Sequence, residues 1–376
     1  MGWNSWNTFG ARITEQDVRE TADTLVESGL AALGYRYVVV DDFWEADERV
    51  DGRLTWNPAT FPGGIPALAD YVHQKGLLFG IYSCAGTHTC GGKPGSFRYE
   101  EIDAKTFAEW GVDYLKYDFC FHPAECSGPA SYRRMGQALR TSGRNIVFSL
   151  CNWGFDAVQT WGRSVGGHLW RTTGDIQDKW NSIYDIGFRK QPELAPYAGP
   201  GGWNDPDMLV VGMRGDRNAE IVRGDEGSGC TDDEYQTHFA LWCMQAAPLM
   251  LGCDVRRIDA VSRNILSNRQ LIAINQDPLG IQAVKRGAHR SVEIWSKPLA
   301  DGSLAVAFFN LGTGESNKTA IAWEALGLAD LTECRVNNLL SGEARGVYTR
   351  NYNSGKIPPH GCEVVRITPL GSGAMS

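Results

Sequence analysis

A short apolar run that ends in carboxylates or other polar side chains, followed by an amphipathic helix, recurs through the first 280 residues and limits the fold more than any other feature. Thr14-x-x-Asp17 reads as a capping box, and Val18, Ala22, Leu25 and Val26 then recur at helical spacing up to Gly29 and Gly34. The stretch 35–42 follows with Val38, Val39 and Val40 in succession, which suits a parallel strand buried on both faces. The alternation predicts a helix over 66–75, a strand over 77–82, a helix over 104–110 and a strand over 112–118, with Gly76 and Gly111 as helix stops. Further units follow: a helix over 130–139, strands over 146–151 and 169–173, a helix over 179–189 and a strand around Trp203. Thr231-x-x-Glu234 opens a helix running through Met244, residues 249–253 supply an eighth strand, and 265–274 a closing helix. With 2–6 as the first strand, eight units occupy about 280 residues, close to the ~250 typical of a (β/α)8 barrel. A doubly wound open sheet would need a Gly-x-Gly-x-x-Gly turn after its first strand, and the sequence has none.

Past Gly280 the period changes. Val292, Ile294 and Trp295 lead into Ala300-Asp301-Gly302-Ser303, and Leu304, Val306 and Phe308 continue by alternation, the signature of a hairpin. The expected architecture is therefore α/β: a (β/α)8 TIM barrel over 1–280, an antiparallel β-sandwich over 281–370 and a small-residue flexible tail over 371–376. Charge and composition narrow the partners. A formal net charge of -8 without basic clusters argues against nucleic acid and anionic membranes, so an uncharged ligand is expected. No apolar run is long enough to span a bilayer, and the chain enters structured sequence without a signal peptide. Seven histidines, none in His-x-His, leave a metal-dependent barrel hydrolase without its usual ligands, so no catalytic metal is expected. Ten dispersed cysteines are many for a reduced cytosolic protein and point to one or two disulfides and a secreted or extracellular location, with the cytoplasm as the alternative.

Barrel active sites gather at the C-terminal ends of the strands. Asp41 and Asp42 end the second strand, Tyr82 the third, Lys116 and Asp118 the fourth, Asn152 the fifth, Arg171 and Asp175 the sixth, and Asp205 and Asp207 the seventh. Lys116 and Asp118 are two apart and project from one face, so the cation is expected beside Asp118, keeping it ionised as a nucleophile; a structural ion pair is the plainer reading. Asp175 is expected to face Asp118, which would raise its pKa and leave it protonated as an acid; capping the next helix is its plainer role. Two carboxyls in unlike environments are what glycoside hydrolysis uses. Of the tryptophans at strand ends (Trp3, Trp6, Trp44, Trp153 and Trp203), one or two are expected to touch a sugar face and the rest to pack.

The motifs VVVDDFW (38–44), YLKYDFC (114–120), LWRTTGDI (169–176), GGWNDPDML (201–209) and INQDPLG (274–280), with MGWNSW at the start and IPPHG at 357–361, closely resemble glycoside hydrolase family 27. The resemblance spans nearly the whole chain in order. It implies a retaining exo-glycosidase acting on terminal α-galactosyl residues of oligosaccharides or glycoconjugates, through a covalent glycosyl-enzyme and without a cofactor. It assigns Asp118 as nucleophile, Asp175 as acid/base, and Trp6, Asp41, Asp42, Tyr82, Cys90, Lys116, Asn152 and Arg171 to the sugar. It also implies a Cys90–Cys120 disulfide beside the pocket. Several positions depart from animal and plant members. Asn152 stands where those often have Glu, Phe155 and Asp156 replace other pocket-lining types, Gly167 stands where a partner for Cys151 is expected, and 213–230 is an added loop that would narrow the pocket or join subunits of a homo-oligomer. Alternatives on the same scaffold are an α-N-acetylgalactosaminidase, against which bulky Phe155 speaks, and a β-L-arabinopyranosidase; an inactive galactose-binding protein is the alternative from another class.

Overall fold

The computed structural model describes residues 1–215 and 229–371. Most of the 213–230 loop and all but the first residue of the 371–376 tail therefore lie outside the described residues. The chain forms two compact units, one of Met1–Gln177, Gly201–Gly229 and Pro248–Asp259, the other of Asp178–Pro200, Cys230–Ala247 and Ala260–Ser376.

The first unit carries eight parallel strands: β1 (Gly2–Asn4), β2 (Tyr37–Val39), β3 (Leu78–Cys84), β4 (Tyr114–Asp118), β5 (Val147–Cys151), β6 (Leu169–Arg171), β7 (Trp203–Asp205) and β8 (Met250–Leu251). They are ordered β7-β6-β5-β4-β3-β2-β1-β8. The chain just past β7 closes the ring: Leu209 N–H donates to Met250 O at 2.7 Å and Gly252 N–H to Leu209 O at 2.9 Å. The interior is a packed plug. Val39, Tyr114, Leu169, Met208 and Met250 form one buried cluster, with Trp6, Tyr37, Val147 and Trp203 against it.

Local signals explain the helices of this unit: α1 (Trp6–Phe9), α2 (Glu15–Glu27), α3 (Ile65–Gln74), α4 (Glu100–Glu109) and α5 (Gly128–Thr141). At α2 the Thr14 side chain accepts from Asp17 N–H and Asp17 accepts from Thr14 N–H, the reciprocal box its sequence implied. Gly76 and Gly111 end α3 and α4 at φ of 74° and 78°. The first strand is shorter than the expected 2–6, because Trp6 already begins α1. Between β5 and β6 the chain makes two 3-10 turns, 155–160 and 162–165, rather than a full helix.

The second unit contains α6 (Trp180–Ile183), which continues as a π-helical turn to Arg189, α7 (Asp232–Met244), α8 (Ala260–Leu266) and α9 (Arg269–Asn275). The expected closing helix over 265–274 is thus two helices, broken where the Asn268 side chain caps α9. The strands follow: β9 (Val284–His289), β10 (Val292–Pro298), β11 (Leu304–Asn310), β12 (Ala320–Ala322), β13 (Cys334–Asn338), β14 (Ala344–Tyr348), β15 (Asn351–Asn353) and β16 (Cys362–Pro369). Six form an antiparallel sheet, β14-β13-β16-β11-β10-β9, and β12 and β15 a second. Phe308, Val336, Val365 and Ile367 from the large sheet pack with Ile321 and Tyr352 from the small one, as in a sandwich. The β10–β11 hairpin pairs Pro298 with Leu304 around the 300–303 turn. His360 of the IPPHG segment stacks on Trp180 and hydrogen-bonds Glu234 at 2.6 Å, which gives that motif a packing role.

One buried group conflicts with its surroundings. Glu45 is fully buried, its carboxylate has no side-chain hydrogen-bond partner among the described residues, and burial together with the charges of Asp42 and Asp41 outweighs nearby backbone N–H groups and raises its pKa well above the ordinary value. Because the folded pKa lies above the unfolded one of 4.5, the native state binds more protons, and stability falls as pH rises beyond about 4.5. Glu45→Met is therefore expected to stabilise the protein by roughly 1–3 kcal/mol at neutral pH. The gain should shrink as pH drops toward 4.5, as urea unfolding at several pH values would show; a gain independent of pH would refute the assignment.

Candidate active site

The ends of the strands open into a cavity of about 440 Å³, mouth included, lined by Trp6, Asn7, Asp41, Tyr82, Cys90, Lys116, Asp118, Cys151, Trp153, Arg171, Asp175, Asp207 and Met208. Asp118, the last residue of β4, is buried. Its Oδ2 accepts from the Tyr82 hydroxyl at 3.0 Å and its Oδ1 from Phe119 N–H at 2.9 Å. The Cys90 sulfur lies 3.4 Å from Oδ2. Cys90 is joined to Cys120 in a disulfide, Cα to Cα 5.1 Å, so this sulfur has no proton to give. For the same reason the cluster of Cys90, Asp118 and Cys120 offers no thiolates to a metal ion.

Lys116 is placed differently from its expected role. Its Nζ donates to Asp41 Oδ2 at 2.8 Å, and Asn4 Nδ2 donates to the same oxygen at 2.6 Å. Among the described residues, no cation pairs directly with Asp118. Burial pushes the Asp118 carboxyl up, Lys116 pulls it down, Asp175 pushes it up again, and it settles at about 6. Lys116 is therefore paired with Asp41 rather than with Asp118, yet it still pulls the Asp118 carboxyl down against desolvation, and a group at about 6 is ionised at neutral pH.

Asp175 departs from its expectation in the opposite sense. Arg171 Nη2 donates to Asp175 Oδ1 at 2.9 Å and lies 3.1 Å from Asp207 Oδ2. Burial raises the Asp175 pKa, but the charge and hydrogen bond of Arg171, helped by Lys116, outweigh it and hold it below the ordinary value. Its side chain is 49% exposed, so water weakens this pull. The two shifts run in opposite directions, Asp118 raised and Asp175 lowered, so Asp118 is the more basic carboxyl of the pair. Asp175 caps no helix, since the next one starts at Trp180 and its N-cap is Lys179.

Asp207 also reaches the cavity. Burial raises it to about 6 against the pull of Arg171, and its backbone is held at φ 92°, a left-handed conformation unusual for a side chain of this kind. Asp205 supports it by accepting from Asp207 N–H at 2.9 Å.

Two expected sugar residues do not line the cavity. Asp42 instead accepts from Gly91 N–H at 2.7 Å and so fixes the turn carrying Cys90. Asn152 is buried, and its amide donates to Phe155 O at 2.8 Å, leaving its Oδ1 unpartnered. Of the five tryptophans, Trp6 and Trp153 line the cavity. Trp3 and Trp44 are buried with their indole N–H groups bonded to Cys253 O and Tyr82 O, and Trp203 packs against the barrel plug. Asn7, Cys151 and Met208 were not singled out as lining residues. Cys151 ends β5, a signal that could have found it; Asn7 lies within α1 and Met208 is apolar, and neither carries such a signal.

An eight-stranded barrel with two inequivalent carboxyls in a small polar cavity at the strand ends defines a glycoside hydrolase. The comparisons are more specific. A family model described as alpha galactosidase A matches residues 1–277, and one described as the alpha galactosidase C-terminal beta sandwich domain matches residues 289–367, so the chain belongs to this α-galactosidase family. An α-galactosidase from Cyamopsis tetragonoloba is 46% identical over 379 residues, covering 98% of this chain and 86% of that one. Among solved structures, a Bacteroides fragilis protein described as a putative α-galactosidase/melibiase superposes with a TM-score of 0.91 at 46% identity, over 97% of this chain and 78% of that one. An α-galactosidase from Saccharomyces cerevisiae, solved with raffinose, gives 0.88 at 30% identity, over 98% of this chain and 97% of that one.

Proposed function

We propose that this chain is a retaining α-galactosidase that removes terminal α-D-galactosyl residues from oligosaccharides or glycoconjugates. The observation that carries the reading is the pairing of Asp118 and Asp175 in one cavity, the first buried and hydrogen-bonded, the second half-exposed at the mouth. Asp118 attacks the anomeric carbon while Asp175 gives its proton to the departing oxygen. A water, deprotonated by Asp175, then displaces Asp118. Asp41, held by Lys116 and Asn4, Tyr82 and Arg171 offer acceptors and donors to the ring hydroxyls, and Trp6 a flat face. Asp42 and Asn152 act through the turns they fix. The test is initial rate on aryl α-galactoside, α-N-acetylgalactosaminide and β-L-arabinopyranoside with and without chelator. A clear preference for the first, unmoved by chelator, is expected; preference for another sugar would overturn the substrate reading, and no turnover the enzyme reading.

Binding must move the shared proton from Asp118 to Asp175. The ring hydroxyls donate toward Asp118 and favour its anion, while the departing oxygen accepts from Asp175. For the free enzyme the pair is competent while it holds one proton, and that window runs from below the ordinary carboxylate pKa up to about 6. We therefore expect kcat/KM to peak in acid and to fall about tenfold per pH unit above about 6, as a profile on a non-ionising galactoside would show. A basic limb beyond pH 8 would count against the pair.

Three further readings rest on smaller observations. Residues 1–280 act as the catalytic domain and 281–370 as a structural one, supported by the family matches ending at 277 and starting at 289. The enzyme works in an oxidising, extracellular setting, supported by the Cys90–Cys120 disulfide. No helix among the described residues is long and apolar enough to cross a membrane.

A further inference from the structure

We propose that the turn after β5, through Trp153 and Phe155, is the seat of the leaving group's first sugar ring; the inference rests on the galactosidase reading above. Phe155 is 57% exposed, which removes it from the core-packing role a phenylalanine normally fills. It stands edge-on to Trp153, ring centroids 6.1 Å apart, and Trp153 lines the catalytic cavity. The two rings thus extend the cavity wall outward to the surface. The turn beneath them is held in an unusual backbone: φ is +56° at Trp153, +85° at Gly154, +57° at Asp156 and +50° at Ala157. Three of these residues carry side chains that disfavour such values, so the surrounding structure must hold the turn in place. The Asn152 side chain pins the turn from inside by donating to Phe155 O.

The position of the turn selects the ligand. A Cβ at Gly154 would lie 2.4 Å from Thr172 O and 3.5 Å from Thr173 N, so the turn lies directly against the segment that leads to Asp175. Only glycine permits that approach. Trp153 and Asp175 both line the cavity, and the turn that carries Phe155 packs against the segment leading to Asp175. What occupies that side is the leaving group, and a sugar leaving group presents an apolar C–H face to an aromatic ring. The occupant is a neutral pyranose or furanose ring attached through the bond being cut.

The test compares two substrates on the parent enzyme, Phe155→Ala and Phe155→Tyr: an α-galactosyl-(1→6)-glucose disaccharide and α-galactosyl fluoride, whose leaving group has no ring. For Phe155→Ala the ratio of kcat/KM on disaccharide to that on fluoride is expected to fall roughly three- to tenfold, with Phe155→Tyr restoring it. An unchanged ratio would overturn the inference, whether both rates fall together or neither moves. If the parent cleaves neither substrate, the galactosidase reading itself fails, which is a separate outcome.

Discussion

Asp118→Ala is expected to lower turnover of an aryl α-galactoside by a factor on the order of 10⁴ or more, because no other group in the cavity can take over the attack. The flanking carboxylates are engaged: Asp41 by Lys116 and Asn4, Asp207 by Arg171 and Ile176 N–H. Asp118→Asn keeps the shape and the Tyr82 hydrogen bond yet should lose as much rate, which separates chemistry from packing. The fold should tolerate both changes. A buried carboxyl pushed up to about 6 is an unfavourable anion at neutral pH, which offsets part of the loss of the acceptors for Tyr82 and Phe119 N–H, about 1 kcal/mol each. Azide gives a sharper reading. In the space vacated by the Asp118 side chain, azide can attack from the face opposite the leaving group and yield β-galactosyl azide by a single displacement. Rate within tenfold of the parent, or azide product of retained configuration, would remove Asp118 from the nucleophile's role.

The barrel was legible because its signals are local. The Thr14 and Thr231 capping boxes, the glycine stops and the Val38–Val40 run each specify an element without reference to the rest of the chain. The strand-end rule then gathered most of the cavity from the sequence, including Asp118 and Asp175. Element ends were less legible. Trp6 could not be seen to leave β1 for a helical turn, and the 265–274 helix could not be seen to break, because a side-chain cap at Asn268 competes with continuation. The pairing of charges was least legible. Spacing placed Lys116 and Asp118 on one face, but a lysine has reach, and Asp41, past the end of β2 with β3 in between, offered an oxygen already polarised by Asn4. Likewise Asn152 ends its strand as predicted, yet its amide is captured by a carbonyl three residues on. Which partner wins depends on distances across strands, and a one-dimensional pattern does not contain them. The disulfide followed from family resemblance; the spacing of its cysteines, 30 residues apart, does not select that pair among ten.

Asp175→Ala should give an effect whose size depends on the substrate, and that dependence identifies the acid. Departure of a sugar alkoxide needs a proton, so hydrolysis of a disaccharide is expected to fall by about 10²–10⁴. Fluoride and dinitrophenolate leave with little help, so the first step on those substrates should be nearly intact, and the glycosyl-enzyme should accumulate because water loses its base. Azide needs no base, and it should release that intermediate as α-galactosyl azide, the anomer opposite to the Asp118→Ala product. The variant also tests the electrostatics of the pair. Asp175 raises the Asp118 pKa by like-charge repulsion and holds Arg171, so its removal deletes a repulsive anion and frees a cation. Both changes favour the Asp118 anion, and its pKa should move down from about 6, carrying the onset of the first step on α-galactosyl fluoride to lower pH. A downward shift with the leaving-group dependence assigns Asp175 as the acid. A uniform loss on all substrates with an unmoved profile would make Arg171–Asp175 a structural ion pair and send the search for the proton donor to Asp207, the other carboxyl that Arg171 holds.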